Sequence, residues 1–200
     1  MRRIGKTTVI LLVTASLLTA CGNPINKMKA NTVYINKEGK VESLSVEDFD
    51  KEYYSEDELK QFIDKEVTAQ QKERGEGSIS LKDFEVKEEK ASLKLLYSNT
   101  DDYVAFTDTT LEQGDYTKSL LDNKKEFMDL KWIEADTKKE VKEFPEEMEG
   151  LKYVVIEDPD GIQLLLDGTV MYYSSQVRFI DKNLIQVPAN QKSVILYQEK

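Results

Sequence analysis

IQLLLDGTVMYYS, residues 162–174, sets two apolar runs on either side of Asp167-Gly168. An Asp-Gly pair between such runs is a strong hairpin signal, because both residues tolerate the left-handed backbone of a type I′ turn. The segment therefore reads as a strand over IQLLL folding straight back into a strand over TVMYYS. On its N-terminal side, LKYVVIE leads into the turn residues Asp158-Pro159-Asp160-Gly161. On its C-terminal side, QVRFI, LIQV and SVILYQ add short strands, with turns at Asp181-Lys182-Asn183 and Pro188-Ala189-Asn190. From Leu151 onward the chain reads as antiparallel β structure.

Upstream the period changes. Ser55-Glu56-Asp57-Glu58 is a capping box, and Leu59, Phe62, Ile63 and Val67 follow as one apolar stripe. Lys72 and Arg74 suit a last turn, and Gly75 and Gly77 end the predicted helix. TVYINKEGKVESLSV (32–46) reads as a short hairpin with turn chemistry at Asn36 to Gly39. SISLKDFEV leads through KEEK into ASLKLLYS, where Ala91, Leu93, Leu95 and Tyr97 alternate with polar residues as in a half-buried strand. DYVAFTDT (102–109) reads as a further strand. DYTKSLLDNKKEFMDL (115–130) reads as a helix with Leu120, Leu121, Phe127 and Met128 on one face. Pro145 argues against one helix through residues 137–150. A helix followed by many short antiparallel strands predicts an α+β domain, with one or two helices packed on a curved, mostly antiparallel sheet. That layout is similar to cystatin-like or nuclear-transport-factor-like folds.

Composition excludes several chemistries. The 200 residues contain no histidine and one cysteine. Histidine-dependent catalysis, His-containing zinc sites, an internal disulfide and Cys-rich metal sites are all ruled out. The formal net charge is −10. Without Arg2, Arg3 and Lys6 the chain carries 25 basic against 38 acidic groups, a balance of −13. A surface this acidic repels phosphate backbones, so nucleic acid is not an expected partner.

The N-terminus carries three positive charges in MRRIGKTT, followed by the apolar run Val9 to Ala20. Such a run is too short to span a bilayer, which takes roughly 18 or more residues, but suits the apolar core of a secretory signal. Leu18-Thr19-Ala20-Cys21 then resembles the lipobox of bacterial lipoproteins. The resemblance implies acylation of the Cys21 thiol and cleavage between Ala20 and Cys21. Two acyl chains, at about 0.8 kcal/mol per CH₂, hold stably in a membrane. GNPINKMKAN (22–31), with Gly, Pro and Asn and no clear period, reads as a short tether. Lys27 and Lys29 within it suit anionic headgroups. The expected organisation is a signal peptide over 1–20, a lipidated tether over 21–31 and a single α+β domain over 32–200. In layout the chain is similar to small lipoproteins of Gram-positive bacteria.

Within the domain, carboxylates are the abundant catalytic currency. A glycan hydrolase would need two of them close together in a cleft. Asp158-Pro159-Asp160-Gly161 lacks the ligand spacing of a calcium loop and reads as a turn. Lys118 and Ser119 are neighbours, but adjacent helical residues point about 100° apart, a poor dyad. Among ten Tyr, seven Phe and one Trp, the doublets Tyr53-Tyr54 and Tyr172-Tyr173 and the isolated Trp132 stand out. Aromatics more often pack cores than form binding platforms. No catalytic, metal or cofactor site is assigned and no cofactor is expected. Cys21 is the one assigned site residue, for lipid attachment. The expected protein is a lipid-anchored, non-catalytic binding module on the extracytoplasmic face of the cell membrane. Its expected ligand is an envelope protein or glycan, and a carboxylate-dependent glycan hydrolase is the alternative.

Overall fold

A computed structural model describes residues 22–127, 130–141 and 150–199. Residues 1–20, Cys21, Met128 and Pro145 lie outside the described residues. The first elements form where the sequence places them. Strands β1 (Thr32–Ile35) and β2 (Val41–Asp48) are an antiparallel hairpin. Its turn is closed by Asn36, whose Oδ1 accepts hydrogen bonds from the amides of Glu38 and Lys40. Helix α1 spans Glu56–Arg74, with the Ser55 hydroxyl accepting from the Glu58 amide at 3.3 Å and Gly75 ending it at φ +106°. Strands β3 (Ile79–Lys87) and β4 (Lys90–Tyr97) form a second hairpin.

The two residues at the tip of that second hairpin are Glu88 and Glu89, at φ +51° and +57°. This is the backbone of a type I′ turn, occupied by side chains that gain nothing from it. The left-handed conformation costs roughly 1–2 kcal/mol per ordinary residue.

DYVAFTDT is not a strand but contributes to α2 (Thr100–Phe106), with Asn99 as its cap. Asn99 Oδ1 accepts from the Asp102 amide at 2.9 Å, while Asn99 Nδ2 donates to the Asp102 carboxylate at 3.0 Å. This reciprocal cap favours helix where the apolar pattern alone suggested strand. Strand β5 (Thr110–Asp115) follows, a mostly polar segment that buries Leu111. The long helix expected over 115–130 is instead α3 (Lys118–Asn123) and a 3-10 turn at Lys125–Phe127. Next come β6 (Trp132–Glu134), β7 (Lys152–Glu157), β8 (Ile162–Leu166) and β9 (Gly168–Ser174). The described chain ends in β10 (Arg178–Asp181), β11 (Leu184–Val187) and β12 (Ser193–Glu199).

The strands form two sheets rather than one. A seven-stranded sheet has the order β10-β11-β8-β1-β2-β4-β3, and a five-stranded sheet the order β5-β7-β12-β9-β6. All pairings are antiparallel except β1 with β8. The α+β class holds, with more sheet than one or two helices on a single layer.

The Asp167-Gly168 hairpin does not form. β8 pairs with β11 and β1, whereas β9 pairs with β12 and β6 in the other sheet. Gly168 is not among the positive-φ glycines, so the I′ turn is absent. Its role is close approach: a Cβ there would stand 2.5 Å from the Gln198 carbonyl oxygen and 2.6 Å from the Tyr197 ring. The two edges of β8 are already hydrogen-bonded to other strands, and Leu164, Leu165 and Leu166 are all buried. A strand covered on both faces and paired on both edges has no place for a hairpin partner. The Asp158–Gly161 segment likewise carries the chain from β7 in the five-stranded sheet to β8 in the seven-stranded one.

Three apolar clusters result. The largest lies between the sheets, joining Val33, Leu164, Leu166 and Ile185 of one to Val154, Ile156, Val170 and Ile195 of the other, with Ile63 and Val67 of α1 at its side. The second covers the outer face of the five-stranded sheet, where Phe127 and Trp132 pack on Tyr153, Tyr172 and Leu196. The third covers the outer face of the seven-stranded sheet, where Ile25 packs on Tyr34, Leu44 and Leu165. Part of the segment expected as a tether is thus packed on the domain. Pro24–Lys27 is a 3-10 turn, Ile25 is fully buried, and Asn23 Nδ2 donates to Glu42. Among the described residues the clusters begin at Ile25. Among the described residues no helix is long and apolar enough to cross a membrane.

Two substitutions check these assignments by denaturant unfolding. Ile25→Ala should lower stability by roughly 2–5 kcal/mol, as for other buried aliphatic truncations, and a change near zero would show that the segment is undocked. Replacing Glu88-Glu89 with Asn-Gly should raise stability by about 1 kcal/mol by relieving the left-handed turn.

Candidate functional site

Helix α1 carries its apolar stripe as the spacing predicts, but the core uses only part of it. Ile63 and Val67 are buried and Leu59 is half-buried, whereas Phe62 is 57% exposed. The N-terminal half of the helix borders an open groove of about 560 Å³. Its floor is the inner face of the β2–β4–β3 arm, where Ser45, Leu93 and Phe84 stand in one cross-strand row and Glu47 and Ala91 in the next. Its end wall is aromatic. Phe49 and Tyr54 lie with ring centroids 5.1 Å apart, and Tyr53 meets Tyr54 edge-on at 4.9 Å. Tyr53 is 78% exposed and Tyr54 42%. Phe49 is pinned by its amide, which donates to the Glu89 carbonyl at 2.7 Å, so the left-handed hairpin tip supports the wall. A second depression of about 410 Å³ continues beyond Phe62, bounded by Gln70 and Phe106.

The groove's surroundings are acidic. Residues 47–60 hold seven carboxylates and two lysines. Asp48 is paired with Lys90 and Asp50 with Lys51. Among the described residues, Glu52, Glu56, Asp57 and Glu58 have no salt-bridge partner. The hydrogen bond from Lys90 holds the Asp48 carboxyl below the usual carboxylate range.

The other polar clusters are structural ties. Asp102 is buried at the start of α2 and accepts from Arg74 of α1 at 2.7 Å, from Asn99, and from Ser98. Burial pushes its carboxyl up, but the hydrogen bonds from Ser98, Arg74 and Asn99 outweigh this and hold it below its ordinary value. Glu112, Lys124 and Tyr153 join the 3-10 segment to the five-stranded sheet. Burial opposes the charge of Lys124, yet its bonds to Glu112 and Tyr153 raise its pKa, the reverse of what a lysine base or nucleophile needs. The Asp158 carboxylate accepts from Thr109 Oγ1 at 2.6 Å and from the Asp160 amide at 3.0 Å. Those contacts tie the DPDG turn to the start of β5. Among the described residues no group of three or more Asp, Glu, His or Cys converges as a metal site. A carboxyl acting as general acid needs a raised pKa. Among the described residues the carboxylates that the fold shifts, Asp48, Asp102 and Glu112, are all held down.

The aromatics singled out in the sequence divide. Trp132, Tyr172 and Tyr173 are buried, because the two faces of β9 belong to different clusters. Tyr53 and Tyr54 are brought together with Phe49, Phe62 and Phe84 around the groove. The last three went unremarked as site residues, although Phe62 was visible as the outermost member of the α1 stripe. Ser119 hydrogen-bonds Thr117 at 3.0 Å, and the Lys118 side chain lies outside the described part. No protein-family model matches the sequence, and no match was found among curated proteins or solved structures.

The Arg74–Asp102 tie predicts a pH signature. A depressed folded pKa contributes stability that is present above about pH 4 and lost as pH falls through the folded value. Asp102→Asn should therefore lower stability at pH 7 by roughly 1–3 kcal/mol, with the difference from wild type shrinking below pH 4. A difference that persists undiminished in acid would show that the charge is not what matters.

Proposed function

We propose that this chain is a lipid-anchored lipoprotein of the extracytoplasmic membrane face, and that its domain is a non-catalytic binding module acting through the aromatic groove beside α1. The observation that carries the binding role is the groove itself: a mostly apolar floor and exposed aromatic walls beside a helix whose stripe the core leaves half unused. Such clefts, lined by aromatic side chains and a few polar groups, are the usual form of a ligand site. Among the described residues no carboxyl with a raised pKa supports the alternative of a glycan hydrolase. The arm of β2, β4 and β3 crossed by α1 is the part closest to the helix-across-meander layout expected from the sequence.

The anchor rests on Leu18-Thr19-Ala20-Cys21 and on the charged and apolar segments before it. The course of the chain is compatible with it. Ile25 lies on the outer face of the seven-stranded sheet with Leu44, while Ser45 and Glu47 face the groove on the inner side. The chain at Asn23 and Ile25 thus lies on the face opposite the groove, so an anchor attached ahead of it is consistent with a groove open to a partner.

Cys21→Ala tests the anchor in cells. The variant is expected to lose labelling by a radioactive or clickable fatty acid and to leave the membrane fraction. Continued labelling of the variant would overturn the lipoprotein assignment.

A further inference from the structure

We propose that the groove receives a cationic amphipathic polypeptide segment, one that presents apolar side chains to the floor and lysine or arginine to the rim. This inference rests on the groove being the binding surface and adds the chemistry of its occupant.

Three features select that occupant. Phe84, Ala91 and Leu93 make most of the floor apolar, with Ser45 and Glu47 along its β2 side, which suits aliphatic or aromatic side chains better than a sugar's hydroxyls. The charged residues that line the groove are of one sign, Glu47, Asp48 and Glu58, with no lysine or arginine among them. Glu47 and Glu58 stand in no salt bridge among the described residues, so a cationic segment would meet carboxylates that no basic side chain of the fold neutralises. The same rim repels anionic lipids and polyanions. The exposed Tyr53 ring, 78% accessible at the groove's end, adds a face on which a guanidinium or ammonium group can rest. An apolar groove with charged margins is the general form in which proteins take an amphipathic segment.

The experiment titrates the full chain with a synthetic amphipathic Leu/Lys peptide and with its Leu/Glu counterpart, read by fluorescence anisotropy at low and at about 0.5 M salt. A neutral chitin oligosaccharide serves as a third probe, followed by calorimetry. The Leu/Lys peptide should bind at least about tenfold more tightly than the Leu/Glu peptide, and weaken about tenfold at high salt. Phe62→Ser should abolish its binding without lowering the melting temperature, because Phe62 is mostly exposed. Replacing Glu47 and Glu58 together with Gln should remove the preference for lysine. Equal binding of the two peptides, or Leu/Lys binding that survives Phe62→Ser, overturns the proposal. Phe62-dependent binding of the oligosaccharide with none of the peptide overturns the cationic segment but leaves the groove as the binding surface. If no probe depends on Phe62, both readings fail.

Discussion

The backbone of Gly168 is pressed so closely onto β12 that no side chain fits between them, and the two-sheet architecture depends on that contact. It seats β9 beside β12 in the five-stranded sheet, one residue after β8 has ended in the seven-stranded one. The same alternation repeats along the C-terminal part of the chain. β7 and β8, β8 and β9, β9 and β10, and β11 and β12 each lie in different sheets. Only β10 and β11 are sequential partners there. Each crossing threads the chain across the shared core, so Leu164, Val170, Ile185 and Ile195 meet within one cluster. Backbone hydrogen bonds secure the crossings: the Asp167 amide donates to Ile35 at 3.0 Å and the Val170 amide to Lys182 at 2.7 Å.

The groove belongs to the part of the seven-stranded sheet beyond this shared core. At the β2–β4–β3 arm the inner face is covered by α1 and α2, which are held together by the Asp102–Arg74 tie. A helix presents a narrow stripe to a broad sheet. α1 seals the floor at Ile63 and Val67 but stands open toward its N-terminus, where the β2–α1 connection folds its aromatic residues inward. Stability and binding surface thus come from the same helix, divided along its length.

Much of the local structure was legible because it follows from short-range chemistry. Ser55 caps α1, Asn36 closes the first hairpin, and Ala91, Leu93, Leu95 and Tyr97 mark β4 by period. The failures also have physical causes. DYVAFTDT has the composition of a strand, and a side-chain cap from Asn99 makes most of it helix. Asp167-Gly168 has the residues of an I′ turn, whereas that conformation occurs at Glu88-Glu89. In both places the pairing of strands decides: β3 and β4 are free to pair with each other, while the edges of β8 belong to β1 and β11. The sequence did hold a hint. LLL in β8, YVVI in β7 and VILY in β12 are unbroken apolar runs, the mark of strands buried on both faces. Alternation would have been expected of a hairpin with one face in water.

By itself the sequence determined the α+β class, the helix α1 with its caps, the two N-terminal hairpins and the absence of histidine chemistry. These follow from spacing, capping and composition, which act over a few residues or need no geometry at all. Tertiary structure alone decided that the strands divide into two sheets, that Ile25 is part of the domain, and that Trp132 and Tyr172 are core. It also decided that Tyr53, Tyr54 and Phe62 share a groove with Phe84, from a distant strand. Which strand pairs with which, and which face a second layer covers, depends on contacts between residues far apart in the chain.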